Sequence, residues 1–139
     1  MEIAATVTSS PGRHWAVVRT GSAEHELAVA PKAGGGCATN GGEFLMLALA
    51  TCYCNDLYRE AARLGLTLDG VEVEALAEFA GIGLAASHVR YRASVRSPAS
   101  PQDIARLLRE TDAVAEVHNT LRKGVDVQWL GDGDGAGQP

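Results

Sequence analysis

Glu43-Phe44-Leu45-Met46-Leu47-Ala48-Leu49-Ala50-Thr51-Cys52-Tyr53-Cys54-Asn55-Asp56-Leu57-Tyr58-Arg59-Glu60-Ala61-Ala62-Arg63-Leu64 reads as one long helix with two characters. From Phe44 to Ala50 it is apolar all round, the pattern of a helix buried on every side. The second half is amphipathic. Asp56, Arg59, Glu60 and Arg63 fall at i, i+3, i+4 and i+7 and share one face. Leu57, Tyr58, Ala61 and Leu64 take the opposite face. Gly65 ends the helix. Such a helix either threads through a core and emerges or packs against a second subunit.

Working outward, the chain before it reads as a β meander. Ile3 to Val7, Trp15 to Arg19 and Glu26 to Ala30 are strand-like, separated by Ser9-Ser10-Pro11-Gly12 and Thr20-Gly21-Ser22. Pro31 to Gly42 is a glycine-rich loop whose simplest reading is a flexible connector. After the helix, Val71 to Phe79 and His88 to Val95 alternate as two strands. Glu72, Glu74 and Glu78 are placed to face Arg90, Arg92 and Arg96 across an antiparallel hairpin. Ser100 caps a second helix to about Thr111, with Pro101 at its first position. Val114 to Leu121 suggests a further helical turn, and Val125 to Leu130 alternates as a last strand. Residues 1–130 are expected to form one α+β domain and residues 131–139 a disordered, glycine-rich tail.

Bulk properties narrow the function. An apolar content of 46% and a charged content of 21% are ordinary for a soluble globular domain. The net charge of −5, with no Lys/Arg cluster, argues against a nucleic-acid partner. The longest apolar stretch, Phe44 to Cys54, is too short to span a bilayer, and the start shows no secretory signal. Three cysteines, Cys37, Cys52 and Cys54, read as reduced thiols of a cytoplasmic protein.

The thiols carry the chemistry that the sequence offers. Two residues apart on a helix, Cys52 and Cys54 point to nearly opposite sides. Cys52 continues the polar stripe of Asp56, Arg59 and Arg63. Cys54 continues the apolar one and reads as a buried small hydrophobe. A reactive thiol needs thiolate character and a nearby cation, for which Arg13, Arg59 and Arg63 are candidates. The four histidines, His14, His25, His88 and His118, match no zinc spacing with Cys52-x-Cys54, so no metal is expected. No phosphate loop and no G-x-S-x-G elbow is present. His118 reads as a surface or core filler rather than a base, and Trp15 and Trp129 read as packing residues.

The run Gly41-Gly42-Glu43-Phe44-Leu45-Met46-Leu47-Ala48-Leu49-Ala50-Thr51-Cys52 resembles the OsmC/Ohr signature, in which a glycine-rich loop and a Glu-led apolar run precede a cysteine nine residues on. Leu68-Asp69-Gly70-Val71-Glu72-Val73 and the segment Val117 to Val127 are similar to later parts of that family. The resemblance implies an OsmC-like fold, with antiparallel sheets and long central helices in an intertwined homodimer. It implies reduction of organic or inorganic hydroperoxides in stress defence without any cofactor. Cys52 would then be the attacking thiol, supported by Glu43 and by Arg13. The family's second cysteine opens a Cys-Pro-Val-type motif, where this chain has Ala115-Glu116-Val117. Two substitutes are available: Cys37 as a resolving thiol, or an external thiol reductant. The expected activity is a cysteine-based peroxidase. The competing expectation is a non-catalytic dimer that binds an apolar small molecule in its interface cleft.

Overall fold

The computed structural model describes residues 1–133. Its elements run β1 (Ile3–Ser10), β2 (Arg13–Thr20), β3 (Ala23–Leu27), α1 (Gly41–Arg63), β4 (Gly70–Phe79), β5 (Ala86–Arg96), α2 (Pro101–Val114) and α3 (Glu116–Lys123). This is the α+β class, with a three-stranded sheet in the order β1-β2-β3 and a two-stranded sheet of β4 and β5. The chain forms two compact units. One comprises residues 1–47 with 76–89, and the other residues 48–75 with the chain from Arg90 onward.

In the first unit the strands pair antiparallel from Ile3↔Thr20 to Ser10↔Arg13 and from Ala16↔Leu27 to Thr20↔Ala23. Each tight turn uses a glycine at positive φ, Gly12 at 73° and Gly21 at 57°, a region closed to most side chains. Directly paired residues share a face, so Ile3, Ala5, Val7, Ala16, Val18 and Leu27 line one side of the sheet. The third strand ends at Leu27, earlier than its alternation predicts. The glycine-rich loop that follows is not a free connector. Pro31 and Cys37 form a backbone bridge. Gly12 donates its N–H to the Lys32 carbonyl at 2.9 Å, and Gly36 donates to the Ser9 hydroxyl at 2.9 Å. Helix α1 then starts on a reciprocal capping box. The Glu43 N–H donates to Asn40 Oδ1 and the Asn40 N–H donates to Glu43 Oε2, both at 2.8 Å.

The second unit holds the core. Tyr53, Leu57, Ala61, Leu107 and Ala115 are buried together, with Val71, Val73, Tyr91, Ala93 and Val95 packed against them. Helix α2 is capped as the sequence predicts: Ser100 accepts the Asp103 N–H, and Pro101 opens the first turn. Tyr53 donates its hydroxyl to the Leu108 carbonyl at 2.7 Å, tying α1 to α2. Glu74 and Arg92 pair at 2.6 Å across the hairpin, as their facing positions predict.

Several expectations are corrected. Val125 to Leu130 forms no strand. Alternation makes a strand only where a neighbouring edge accepts its hydrogen bonds, and Val127, Trp129 and Leu130 are more than 80% exposed. Trp15 and Trp129 do not pack as core: they are 48% and 85% exposed. The apolar first half of α1 is not buried on every side either. Leu47 is 57% exposed and only Leu49 is fully covered. Tyr58 faces outward, while Asp56 and Glu60 are buried. Of the tail expected at 131–139, residues 134–139 lie outside the described residues.

Leu57 and Leu107 are fully buried and their neighbours come from several elements. Leu57→Ala is expected to cost about 2–5 kcal/mol, from lost transfer energy plus the cavity left behind. Urea unfolding checks this, and a loss below about 1 kcal/mol would show that this cluster is not what holds α1.

Candidate functional site

Cys52 stands in the middle of α1, and one helical turn later Asp56 projects from the same face. The half-buried Cys52 thiol donates to Asp56 Oδ2, with Sγ 3.6 Å from the oxygen. A second carboxylate arrives from α3. Ala115, fully buried in the core, is both the last cap of α2 and the first cap of α3, and this delivers Glu116 to the thiol. Glu116 Oε2 lies 3.8 Å from Cys52 Sγ. The backbone N–H of the next residue, Val117, favours the thiolate.

Arg59 joins the two carboxylates. Its Nη1 is 3.0 Å from Asp56 Oδ1 and 3.2 Å from Glu116 Oε1. Its Nε reaches Glu60 at 3.4 Å, and Arg63 bonds Glu60 at 2.6 Å and Glu110 at 2.5 Å. Arg106 closes the chain on Glu110 at 2.8 Å. Four carboxylates thus face three guanidiniums, and the excess acid lies at the Cys52 end.

That excess sets the protonation of the site. Burial, and then the Glu116 charge, push Asp56 above the usual carboxylate range, with Arg59 opposing. Glu116 is pulled down, first by its own backbone N–H and then by its Asp56 and Arg59 neighbours, against the cost of burial. Burial pushes the Cys52 thiol up. The Val117 N–H opposes this, and the Asp56 and Glu116 charges add to the rise.

The other residues singled out by sequence are placed elsewhere in the chain. Glu43 is engaged in the capping box of α1 and stands nine residues before Cys52. Arg13 opens β2, where its carbonyl accepts the Ser9 hydroxyl at 3.2 Å. Cys37 lies in the bridge with Pro31. All three belong to the first unit, and Cys52 belongs to the second. Cys54 is half-buried. Of the candidate cations, Arg59 is the one joined to both acids beside the thiol. Cys52, Asp56 and Glu116 bring three possible ligand atoms within 4.8 Å of one another. Arg59 places a positive charge beside the two carboxylates of that group. Asp56 was visible in sequence as the residue four after Cys52. Glu116 was not, because tertiary packing alone brings it to the thiol.

A second polar group lies in the core. His118 is 3% exposed, and neither ring nitrogen has a hydrogen-bond partner. Its ring packs edge-on to Tyr91 at 4.4 Å and tilted to Tyr53 at 5.7 Å. Tyr91 donates to Asp112, which Arg122 holds at 2.6 Å. Burial, and then the Asp112 charge, push Tyr53 up to about 12.

A family model described as OsmC-like protein matches residues 33–130. Among solved structures, the chain is similar to an OsmC-like protein from Mycoplasma pneumoniae, at 15% identity and a TM-score of 0.61 over 89% of this chain and 91% of that one. It is similar to an organic hydroperoxide resistance protein OsmC from Legionella pneumophila, at 19% identity and 0.57 over 90% and 93%. It is also similar to an OsmC-like hydroperoxide resistance protein from Jannaschia sp. CCS1, at 14% identity and 0.55 over 94% and 93%. At these identities the likeness is one of fold. No curated protein matches the sequence.

His118 supplies a pH prediction. Burial, reinforced by Arg122 and opposed by Asp112, holds it below the ordinary histidine value of 6.5. Its depressed folded value means the unfolded chain takes the proton first. Its contribution to stability is complete above 6.5 and is lost as pH falls below that. Unfolding midpoints from pH about 7.5 to about 5 should decline in the wild type, and His118→Phe should remove part of that decline. An identical pH dependence in the variant would show that His118 does not titrate with folding.

Proposed function

This chain belongs to the OsmC-like protein family, and from that membership we propose that it is a thiol-dependent hydroperoxide reductase of redox or stress defence, acting through Cys52. One observation carries the reading. The Cys52 sulfur is half-buried at the first turn of α3, where the Val117 N–H, Asp56 and Glu116 all converge on it. A packing cysteine is surrounded by apolar groups, and this one is surrounded by proton donors and acceptors. The similar structures from Legionella pneumophila and Jannaschia sp. CCS1 are hydroperoxide resistance proteins, which supports the same reading.

In this reading Cys52 attacks the peroxide and becomes a sulfenic acid. The positions matching the family's second-cysteine motif, Ala115-Glu116-Val117, carry no thiol. Cys37 is held in its backbone bridge. We therefore assign clearance of the sulfenic acid to an external thiol. Glu43 and Arg13 remain the supporting residues that the family resemblance implies. The three free cysteines suit a reducing, cytoplasmic setting. Among the described residues no helix is long and apolar enough to cross a membrane.

The working form is a homodimer. No residue of 1–47 or 76–89 is buried, and Ile3, Val7, Leu47, Phe79 and Ile82 are all more than half exposed. A small sheet without a covered face is not stable in water. The family match from 33 to 130 runs through both units, which supports reading them as parts of one domain.

A second reading keeps the dimer and drops the catalysis. It is a relative that binds an apolar small molecule in the interface cleft. The upward push on the Cys52 thiol favours it, because fewer thiolates are then present at neutral pH.

Consumption of cumene hydroperoxide and hydrogen peroxide under excess dithiol separates the two. The hydroperoxidase predicts turnover well above free dithiol that is abolished in Cys52→Ser. Turnover at the free-dithiol level would remove it in favour of the binding dimer. Sedimentation should give about twice the 14.5 kDa chain mass, and a monomer at micromolar concentration would overturn the dimer.

A further inference from the structure

Resting on the reading of Cys52 as the attacking thiol, we infer that Asp56 is the general base of the site, taking the Cys52 proton as the sulfur attacks. The geometry is that of a nucleophile, a base and an orienting group. The thiol donates to Asp56 Oδ2 at 3.6 Å, and Asp56 Oδ1 is held by Arg59 at 3.0 Å. Asp56 is 5% exposed and one helical turn from Cys52, so its carboxylate is fixed in place. Among the described residues, the side chains hydrogen-bonded to Cys52 are the carboxylates of Asp56 and Glu116. Arg59 reaches the two acids, and both acids lie beside the thiol.

A thiol with two carboxylate neighbours is a poor source of free thiolate. The same neighbours make a base. Burial and then Glu116 from α3 raise the basicity of Asp56, and Arg59 opposes that rise. The charged and titratable groups facing Asp56 are Cys52 and Arg59 on α1 and Glu116 on α3. A base nearer in strength to the thiol transfers the proton more efficiently.

The step balances within the site. The S–H proton moves to Asp56 while Sγ bonds to the terminal peroxide oxygen and the O–O bond breaks. The leaving alkoxide takes the proton back from Asp56. Cys52 is oxidised by two electrons to the sulfenic acid, and the hydroperoxide is reduced to the alcohol. Two external thiols then reduce the sulfenic acid, giving their disulfide, water and the restored Cys52 thiol.

The test uses the full chain carrying Cys37→Ser and Cys54→Ser, so that Cys52 is the sole thiol. Single-turnover oxidation by cumene hydroperoxide and alkylation by iodoacetamide are followed from pH about 5 to about 9.5. With Asp56 as base, both rates should be level through neutral pH. In Asp56→Asn the neutral rate should fall about a hundredfold, the usual worth of a positioned base, and climb with pH toward the parent value. Glu116→Gln, which leaves Asp56 in place but removes the charge that raises its basicity, should lower the plateau by less than Asp56→Asn does and move its acid limb to lower pH. An Asp56→Asn profile that matches the parent, or is faster at neutral pH, overturns the inference, since Asp56 would then act only as a charge. Loss of the fold in Asp56→Asn, seen by circular dichroism, passes the decision to Glu116→Gln, and an unmoved acid limb there overturns it. A peroxide rate no greater than that of a free thiol removes the hydroperoxidase reading alone, because the iodoacetamide profile still decides the role of Asp56.

Discussion

The bridge from Arg59 to two carboxylates, Asp56 one turn back on α1 and Glu116 at the start of α3, is the interaction on which the site depends. Asp56 is buried, and a buried carboxylate without a counter-charge is costly. Arg59 compensates it and in the same gesture draws in Glu116. The fully buried Ala115 sets where α3 begins, so the first turn of that helix has one place to go. Cys52 is on the face of α1 that meets it. Its polar surroundings follow from the ion pair rather than from any feature of the cysteine.

Those surroundings pull in two directions. The Val117 N–H and the positive end of α3 favour a thiolate. Burial and two acids favour the thiol, and they outweigh the single N–H. A site tuned for a low-pKa thiolate would have a cation in contact with sulfur. Here the cation sits one bond further out, on the carboxylates. That arrangement gives up resting thiolate in return for an acceptor within reach of the S–H proton. Because intrinsic nucleophilicity falls as thiol pKa falls, a thiol deprotonated only as it reacts is also the stronger nucleophile.

The local elements were legible in sequence wherever one signal stood alone. The cap at Ser100 and Pro101, the stop at Gly65 and the facing Glu74 and Arg92 all rest on neighbours in sequence or on strand alternation, and the structure has each of them. The polar stripe through Cys52, Asp56, Arg59 and Arg63 was equally plain, because helix period alone places it. What failed to show was anything decided by tertiary contact. Val125 to Leu130 has a strand's alternation but no strand edge to join. Tyr58 and Glu60 exchange the exposures their types suggest, because Glu60 is compensated by Arg59 and Arg63. Glu116 reaches Cys52 across 64 residues of chain, and no spacing rule connects such a pair.

The uneven burial of the chain completes the argument about its working form. Among the described residues, every buried one lies between Leu49 and His118, in the second unit. The strand register of the first unit nonetheless puts most of its apolar residues, Ile3, Ala5, Val7, Ala16, Val18 and Leu27, on one face, with Trp15 and Val17 beside the charged Arg19, Glu24 and Glu26 on the other. A sheet whose two sides both met water would have no reason to segregate them, since alternation is maintained only where one face is covered. Ile3 at 70% and Val7 at 59% exposure are far from covered within one chain. The apolar first half of α1, with Leu47 at 57%, has the same unmet requirement. In the proposed homodimer a second copy would satisfy both apolar surfaces together, since a self-complementary two-fold contact covers each with surface of the same chemistry.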